Sequence, residues 1–151
     1  PLAQHEHFIG VKECGGNERI AHYERQGIAC WSGNDDEAHD ARHTHKAHGV
    51  ISVTSNLIPG LFRQLMDSKN DALNNSLQPL MNWLFCEPNP IAINTAMIMT
   101  GAVNPVFRMP YVPLSDEQQQ QGETLINQLN EQDFVGSRAQ CVDISKVLIL
   151  S

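Results

Sequence analysis

The chain has 151 residues, of which 41% are hydrophobic and 18% charged, a balance typical of one globular domain or part of one. Its net charge is −7 and its ten lysines and arginines are scattered, so we expect no nucleic acid and no anionic membrane as partners. No apolar stretch approaches the roughly 20 residues of a membrane helix. The first residue is Pro1 rather than Met, so we expect a removed presequence or a larger parent protein.

Three short apolar runs organise the first part of the chain. They cover residues 8–12, 27–32 and 49–54 and start about 20 residues apart, and a turn and a polar helical stretch follow each of them. Runs that are apolar on both faces and separated by helix-length segments are typical of parallel strands with crossover helices. The pattern therefore predicts an α/β fold.

Three helices are predicted between and after these runs. They are a helix over 17–24 capped by Asn17, a helix to about Ala47 capped by Asp35 or Asp36, and a helix over 59–68 preceded by Asn56. Pro59 suits the first turn of the last one, because a helix needs no N–H bond there.

The rest of the chain is predicted to form helices separated by proline-rich breaks. Further helices are predicted at 71–85, at 91–100 and from Ser115 onward. The prolines within 87–90 and 104–114 break the pattern, so 104–114 is expected to be extended and irregular.

The helix that starts at Ser115 has a capping signature, since Gln118 follows three residues later. Its four consecutive glutamines, 118–121, are expected on a solvated face. The tail, 142–151, is predicted to form one strand or a short docked segment.

Lys12 is the candidate nucleophile. Ligands of parallel α/β folds bind at the carboxyl ends of strands, and Lys12 lies at such an end, with Gly15 and Gly16 in the turn beyond it. Only a neutral amine attacks a carbonyl to form a Schiff base, and a dry strand mouth favours that form. The pattern alone favours a lysine that reaches solvent or pairs with Glu13, although Glu13 is expected on the opposite side of the strand.

Polar turns follow the other two runs. They cover 32–36, the SGNDD segment, and 54–56. Gly33 would let a ligand approach the backbone closely, and its neighbours offer hydrogen-bonding groups. A turn that caps a helix explains the same residues without a ligand.

The metal and redox signals are weak. His39 and His43 have the spacing of two zinc ligands on a helix, but no third ligand is identified, so a solvated helix face is the favoured interpretation and no metal is expected. The four cysteines are spaced too unevenly for a paired motif, which predicts reduced thiols in a reducing compartment.

Five ordered blocks resemble a known enzyme family. They are GVKECGGNERI, WSGNDDEAHD, GVISVTSNLIPGL, WLFCEPNPIAINTA and PVFRMPYVPL. In this order and spacing they resemble the carboxyl-terminal half of the plant-type dihydrodipicolinate synthases, also called 4-hydroxy-tetrahydrodipicolinate synthases. The resemblance covers nearly the whole chain and is weakest from about Ser115 onward.

The resemblance implies a fold and a reaction. The fold is the carboxyl-terminal part of a (β/α)8 TIM barrel, with strands six to eight in residues 1–70 and a helical carboxyl-terminal region in residues 71–151. The family is a class I, Schiff-base lyase that condenses pyruvate with aspartate 4-semialdehyde in lysine biosynthesis through diaminopimelate, and no cofactor is expected. A chloroplast location and a homo-oligomer are implied for the parent protein.

The resemblance also assigns roles to three residues. Lys12 matches the lysine that forms an imine with pyruvate, while Gly33 and Ile51 match positions that line the pyruvate pocket, Ile51 through its backbone. The family's paired threonines, proton-relaying tyrosine and carboxylate-binding arginine match no residue here. The chain alone is therefore expected to be inactive.

Two other functions stay open at this stage. A truncated, non-catalytic chain would associate with full-length subunits, since it lacks the proton relay and the carboxylate receptor. N-acetylneuraminate lyase and other pyruvate-imine aldolases share the lysine, although the SGNDD and EPNP blocks favour the synthase.

Overall fold

The computed structural model describes residues 4–150, which form five strands and six α-helices joined by turns and short 3-10 segments. The strands are β1 (Val11–Glu13), β2 (Cys30–Ser32), β3 (Gly49–Val50), β4 (Val106–Arg108) and β5 (Leu148–Leu150). The helices are α1 (Asn17–Arg25), α2 (Ala38–His43), α3 (Pro59–Asp67), α4 (Asp71–Leu84), α5 (Ile91–Met99) and α6 (Asp116–Asn127). None of the helices in this range is long and apolar enough to cross a membrane.

The described residues divide into two compact units. The first unit comprises the residues up to Ser52 together with Arg63–Asn75, and the second comprises Val53–Phe62 and the residues from Ser76 onward. The first unit holds the three-stranded sheet, and the second holds β4 and β5.

The sheet of the first unit is parallel throughout, in the order β1, β2, β3. This confirms the predicted α/β arrangement. The strands are shorter than predicted: β1 begins at Val11 rather than at residue 8, and β3 ends at Val50 rather than at residue 54. The end of the third run is not strand, since Thr54–Asn56 forms a 3-10 turn.

The core of the first unit lies where α1, β2 and the α2 region meet. Its buried members are Ile20, Cys30, Ala41 and Ala47. The first apolar run is only partly buried in the described residues, since Ile9 is 81% exposed. Within residues 4–150, β1 pairs with β2 on one side only, so one edge of the strand carries no partner from the described chain.

The caps of α1 and α2 differ from those predicted. Gly16, not Asn17, is the N-cap of α1, and its φ of 101° lies in the region that favours glycine. The Asn17 amide instead donates to Oδ2 of Asp40 in α2 at 2.8 Å. Helix α2 follows Glu37 and ends at His43, well before Ala47. Lys46, three residues beyond the helix, has a φ of 65°.

The predicted capping box of α6 is confirmed. The Ser115 hydroxyl accepts the Gln118 N–H, and the Gln118 side-chain oxygen accepts the Ser115 N–H at 3.1 Å. The predicted α5 ends within one residue of its observed end, and Gly101 follows with a φ of 69°. These ends were predictable because their signals are local in sequence.

Gln119 corrects the prediction of a solvated glutamine face. It is fully buried, its amide nitrogen donates to the Leu114 carbonyl at 2.9 Å, and its oxygen accepts the Val142 N–H at 2.8 Å. A buried amide whose donor and acceptor both have partners joins two irregular segments to α6. The four-glutamine run gave no sign of this role.

The segment 104–114 is also more regular than predicted. Its residues Val106–Arg108 form β4, which pairs in parallel with β5. The tail therefore forms a strand, one of the two predicted outcomes, while its last residue, Ser151, lies outside the described residues. Ile98, Phe107 and Val147 form a small buried cluster beneath this pair.

The histidines of α2 are structural, so the predicted solvated face is wrong. His39 is 4% exposed, and its Nε2 accepts the Asn70 N–H at 3.0 Å. His43 Nε2 lies 2.7 Å from the Leu65 carbonyl oxygen. Burial lowers the pKa of His39, and the neighbouring His43 lowers it further, against the opposing effect of Asp71. The two rings thus join α2 to the segment that ends α3.

The lowered pKa of His39 predicts a loss of stability in mild acid. As the pH falls through the ordinary pKa of 6.5, the unfolded chain binds a proton before the folded chain does, so the free energy of unfolding falls. Denaturant titrations at about pH 7 and about pH 5 measure this loss. His39→Gln offers an oxygen to the Asn70 N–H and does not titrate, so we expect a smaller loss in this variant.

The exposed His22 of α1 supplies the control, and His22→Gln should keep the pH dependence of the unchanged chain. Equal pH dependence in the His39→Gln variant and in the unchanged chain would contradict the assignment.

Gly122 of α6 allows close packing against Trp83 of α4. A Cβ at Gly122 would overlap the six-membered ring of the Trp83 indole, whose Nε1 donates to the Gln118 carbonyl at 2.8 Å. We expect Gly122→Ala to lower the free energy of unfolding by about 1–3 kcal/mol, the usual cost of overpacking. Gly60→Ala is the matched control, because a Cβ at Gly60 meets open space. Chemical denaturation measures both, and similar stability of the two variants would contradict this packing.

Candidate active site

The carboxyl ends of β1, β2 and β3 lie at one edge of the sheet. The parallel register pairs Glu13 with Ser32, and Ser32 with Val50. Beyond these pairs, the Gly33 N–H donates to the Glu13 carbonyl at 2.8 Å and the Ile51 N–H donates to the Ser32 carbonyl at 2.9 Å. The residues predicted for the site, Lys12, Gly33 and Ile51, are therefore brought together at this edge.

Gly33 lies directly against the Lys12 side chain. A Cβ at Gly33 would lie 2.6 Å from Cε of Lys12 and even closer to Sγ of Cys14. Real Cβ atoms do not come so close to other atoms, so a glycine is required for the lysine to keep this course. Gly33 is predicted from the sequence to let a ligand approach the backbone. Its missing side chain also leaves the space that the Lys12 side chain occupies.

Glu13 is paired with Arg19 and not with Lys12. Nε of Arg19 lies 2.9 Å from one carboxylate oxygen of Glu13, and the Gly15 N–H donates to the other at 2.6 Å. Burial acts to raise the pKa of the Glu13 carboxyl, but the bonds from Arg19 and Gly15 outweigh it and lower the pKa. No Lys12–Glu13 ion pair forms within the described part of the chain.

The turn after β2 is built by Asn34, which sequence reasoning did not single out. The Ser32 hydroxyl donates to the Asn34 carbonyl at 3.0 Å. The Asn34 amide donates to the Cys14 carbonyl at 3.1 Å and to the Glu37 carboxylate at 3.0 Å. This supports the interpretation of SGNDD as a turn, and the same turn ties the loop after β1 to the loop after β2.

The edge is open to solvent. Lys12 is exposed, and Ile51 is 53% exposed, so the dry mouth predicted from the sequence does not form in this part of the chain. The four cysteines are free thiols, of which Cys30 is buried. Residues 4–150 contain no group of three or more His, Cys, Asp or Glu side chains placed to hold a metal.

Comparisons with known proteins agree on one family. The model of the dihydrodipicolinate synthetase family matches residues 1–129. Chloroplastic 4-hydroxy-tetrahydrodipicolinate synthase of Nicotiana tabacum is 51% identical over 91% of the chain, and that of Zea mays is 48% identical over 99%. The chain spans only 38% and 40% of the lengths of these two relatives.

Solved structures of TIM-barrel enzymes show the same arrangement. Dihydrodipicolinate synthase of Acinetobacter baumannii, in complex with pyruvate, matches 83% of this chain with a TM-score of 0.77 and 27% identity, over 47% of its own length. The enzyme of Thermotoga maritima matches 84% of this chain with a TM-score of 0.75, over 48% of its length. From the family model and the sequence relatives together, the chain belongs to the dihydrodipicolinate synthetase family.

Proposed function

We propose that this chain supplies strands six to eight of a (β/α)8 barrel and the nucleophile of a 4-hydroxy-tetrahydrodipicolinate synthase. Residues 1–70 form the barrel part, and residues 71–151 form the helical carboxyl-terminal region. The observation that carries the proposal is Lys12 at the carboxyl end of β1, against Gly33 and at the same edge of the sheet as Ile51. The Glu13 carboxylate pairs with Arg19 rather than with Lys12. A barrel binds its substrates at this end of its strands.

The reaction begins with the Lys12 amine. Its nitrogen attacks the keto carbon of pyruvate, and loss of water leaves an imine that draws electrons from the neighbouring methyl group. Loss of a methyl proton gives an enamine, whose carbon attacks the aldehyde of aspartate 4-semialdehyde. Cyclisation by the substrate amine releases Lys12 and forms 4-hydroxy-tetrahydrodipicolinate. No step requires a cofactor.

The surroundings of Lys12 suit a small keto acid. Gly33 leaves backbone within reach of the reacting carbon, and Ile51 offers its main chain at the neighbouring strand end. The proton relay and the receptor for the second carboxylate come from outside these 151 residues, so the chain alone does not complete the condensation.

The setting of the parent protein follows from its relatives. The tobacco and maize relatives are named chloroplastic, which supports a chloroplast location and a role in lysine biosynthesis through diaminopimelate. The A. baumannii structure contains pyruvate, which supports pyruvate as the first substrate. Relatives named as synthases at about 50% identity favour the synthase over N-acetylneuraminate lyase. The proposal includes a homo-oligomeric parent protein, as the family resemblance implies.

Borohydride trapping tests the assignment of Lys12. The test protein is this chain joined behind the part of the tobacco synthase that precedes its match, here termed the completed barrel. Pyruvate and borohydride should leave a reduced three-carbon unit on Lys12, located by peptide mass spectrometry. We expect Lys12→Arg to lower trapping and synthase activity by at least about 1,000-fold, as loss of a nucleophile does.

Lys146→Arg is the matched control. Lys146 is 78% exposed and lies in the tail, so this variant should keep full trapping and activity. Labelling of another lysine, or undiminished trapping in the Lys12→Arg variant, would contradict the proposal.

A further inference from the structure

We propose that Cys14 and Gly33 are positioning residues that hold the Lys12 side chain in the orientation from which its amine attacks pyruvate. The inference rests on the proposed function and names two residues that act on the reaction through Lys12. Neither is assigned a step of its own in the chemistry.

The contacts around Gly33 carry the inference. The space that a Cβ of Gly33 would fill is bounded by Sγ of Cys14 and by Cε of Lys12, and Cγ of Lys12 lies 3.3 Å from the same point. The thiol and the lysine stem therefore lie side by side over one bare glycine. Residues 12 and 14 are two apart on an extended chain, so their side chains project to the same side.

Cys14 is itself held in place from two directions. Its carbonyl accepts the Asn34 amide at 3.1 Å, and that amide also bonds to Glu37. The Glu13 carboxylate immediately before Cys14 is held by Arg19 and by the Gly15 N–H. The backbone that carries the thiol is thus bonded on both sides of the strand end, which restricts where the thiol can lie.

An exposed lysine needs a neighbouring side chain that restricts its conformations. Its side chain has four rotatable carbon–carbon bonds and loses up to about 2 kcal/mol of conformational free energy when it is ordered. A nucleophile that is misplaced by about 1 Å can lose about 100-fold in rate. Contacts that restrict the stem, near Cγ and Cε, therefore favour the attacking geometry without touching the amine.

Three variants of the completed barrel test whether Cys14 and Gly33 orient the Lys12 side chain. Cys14→Ala removes the thiol, Cys14→Ser retains a side chain of similar shape, and Gly33→Ala places a methyl group where Lys12 and Cys14 now lie. We expect Cys14→Ala to lower the maximal rate of imine trapping by about 10- to 100-fold, with the half-saturating pyruvate concentration little changed. Gly33→Ala should lower the rate to a similar extent and also raise that concentration, because its methyl group enters the proposed pyruvate pocket. Cys14→Ser should recover most of the rate.

Controls separate positioning from folding. The two atoms closest to a Gly33 methyl group, Sγ of Cys14 and Cε of Lys12, lie toward the ends of flexible side chains, so Gly33→Ala should retain the melting temperature of the unchanged protein. Cys141→Ala removes another exposed thiol and should leave trapping unchanged. Unchanged trapping rates in both Cys14→Ala and Gly33→Ala would overturn the proposal. If the unchanged protein traps no pyruvate on Lys12, it is the proposed function that fails.

A second measurement needs neither catalysis nor the completed barrel. Formaldehyde and cyanoborohydride methylate the lysines of the 151-residue chain, and mass spectrometry gives the ratio of Lys12 to Lys146 methylation. Because Cys14 and Gly33 set the orientation of the Lys12 side chain, this ratio should change in the Cys14→Ala and Gly33→Ala variants. It should stay constant in the Cys141→Ala variant. A ratio that is the same in all four chains would overturn the proposal even if the completed barrel did not fold.

Discussion

The candidate site depends on the parallel register of three short strands. In this parallel sheet, the residue just past one strand donates its N–H to the last carbonyl of the neighbouring strand. Gly33 donates in this way to Glu13, and Ile51 donates to Ser32. Residues far apart in sequence, Lys12 and Ile51 among them, reach one edge for this reason. A slip of one residue in β2 would turn its side chains to the other face and move Gly33 away from the lysine.

The polar groups at this edge orient side chains more than they stabilise the fold. The Glu13–Arg19 pair has good geometry, but Arg19 is 60% exposed, so screening by solvent leaves the pair only a small contribution to stability. Its main consequence is that the Glu13 carboxylate bonds to Arg19 and does not pair with Lys12. Asn34 acts in the same way, because its bond to the Cys14 carbonyl joins two loops that hold side chains near the lysine.

The sequence predicted those features whose causes are local. The capping box of Ser115 and Gln118 involves residues only three apart in sequence. The three strands of the sheet are predicted by the apolar residues within each run. It failed where a distant segment decides the outcome. Gln119 is buried because Leu114 and Val142 satisfy its amide, and His39 is buried because Asn70 donates to its ring. From sequence alone, such polar residues are predicted to be exposed to solvent, because the distant partners that satisfy their hydrogen bonds are not known.

The same distinction applies to Lys12 itself. Its placement at a strand end followed from the apolar run, and the strand pairing bears this out, but its expected dryness required neighbours that the run does not contain. A nucleophilic lysine needs both a fixed direction and a site that excludes water, and these have separate physical sources. Hydrogen bonds and close packing around Gly33 provide the direction within this chain. The described residues do not exclude water, since Lys12 is exposed and β1 has β2 as its sole strand neighbour in residues 4–150. Under the proposed function, the placement and the desolvation of Lys12 thus have separate sources.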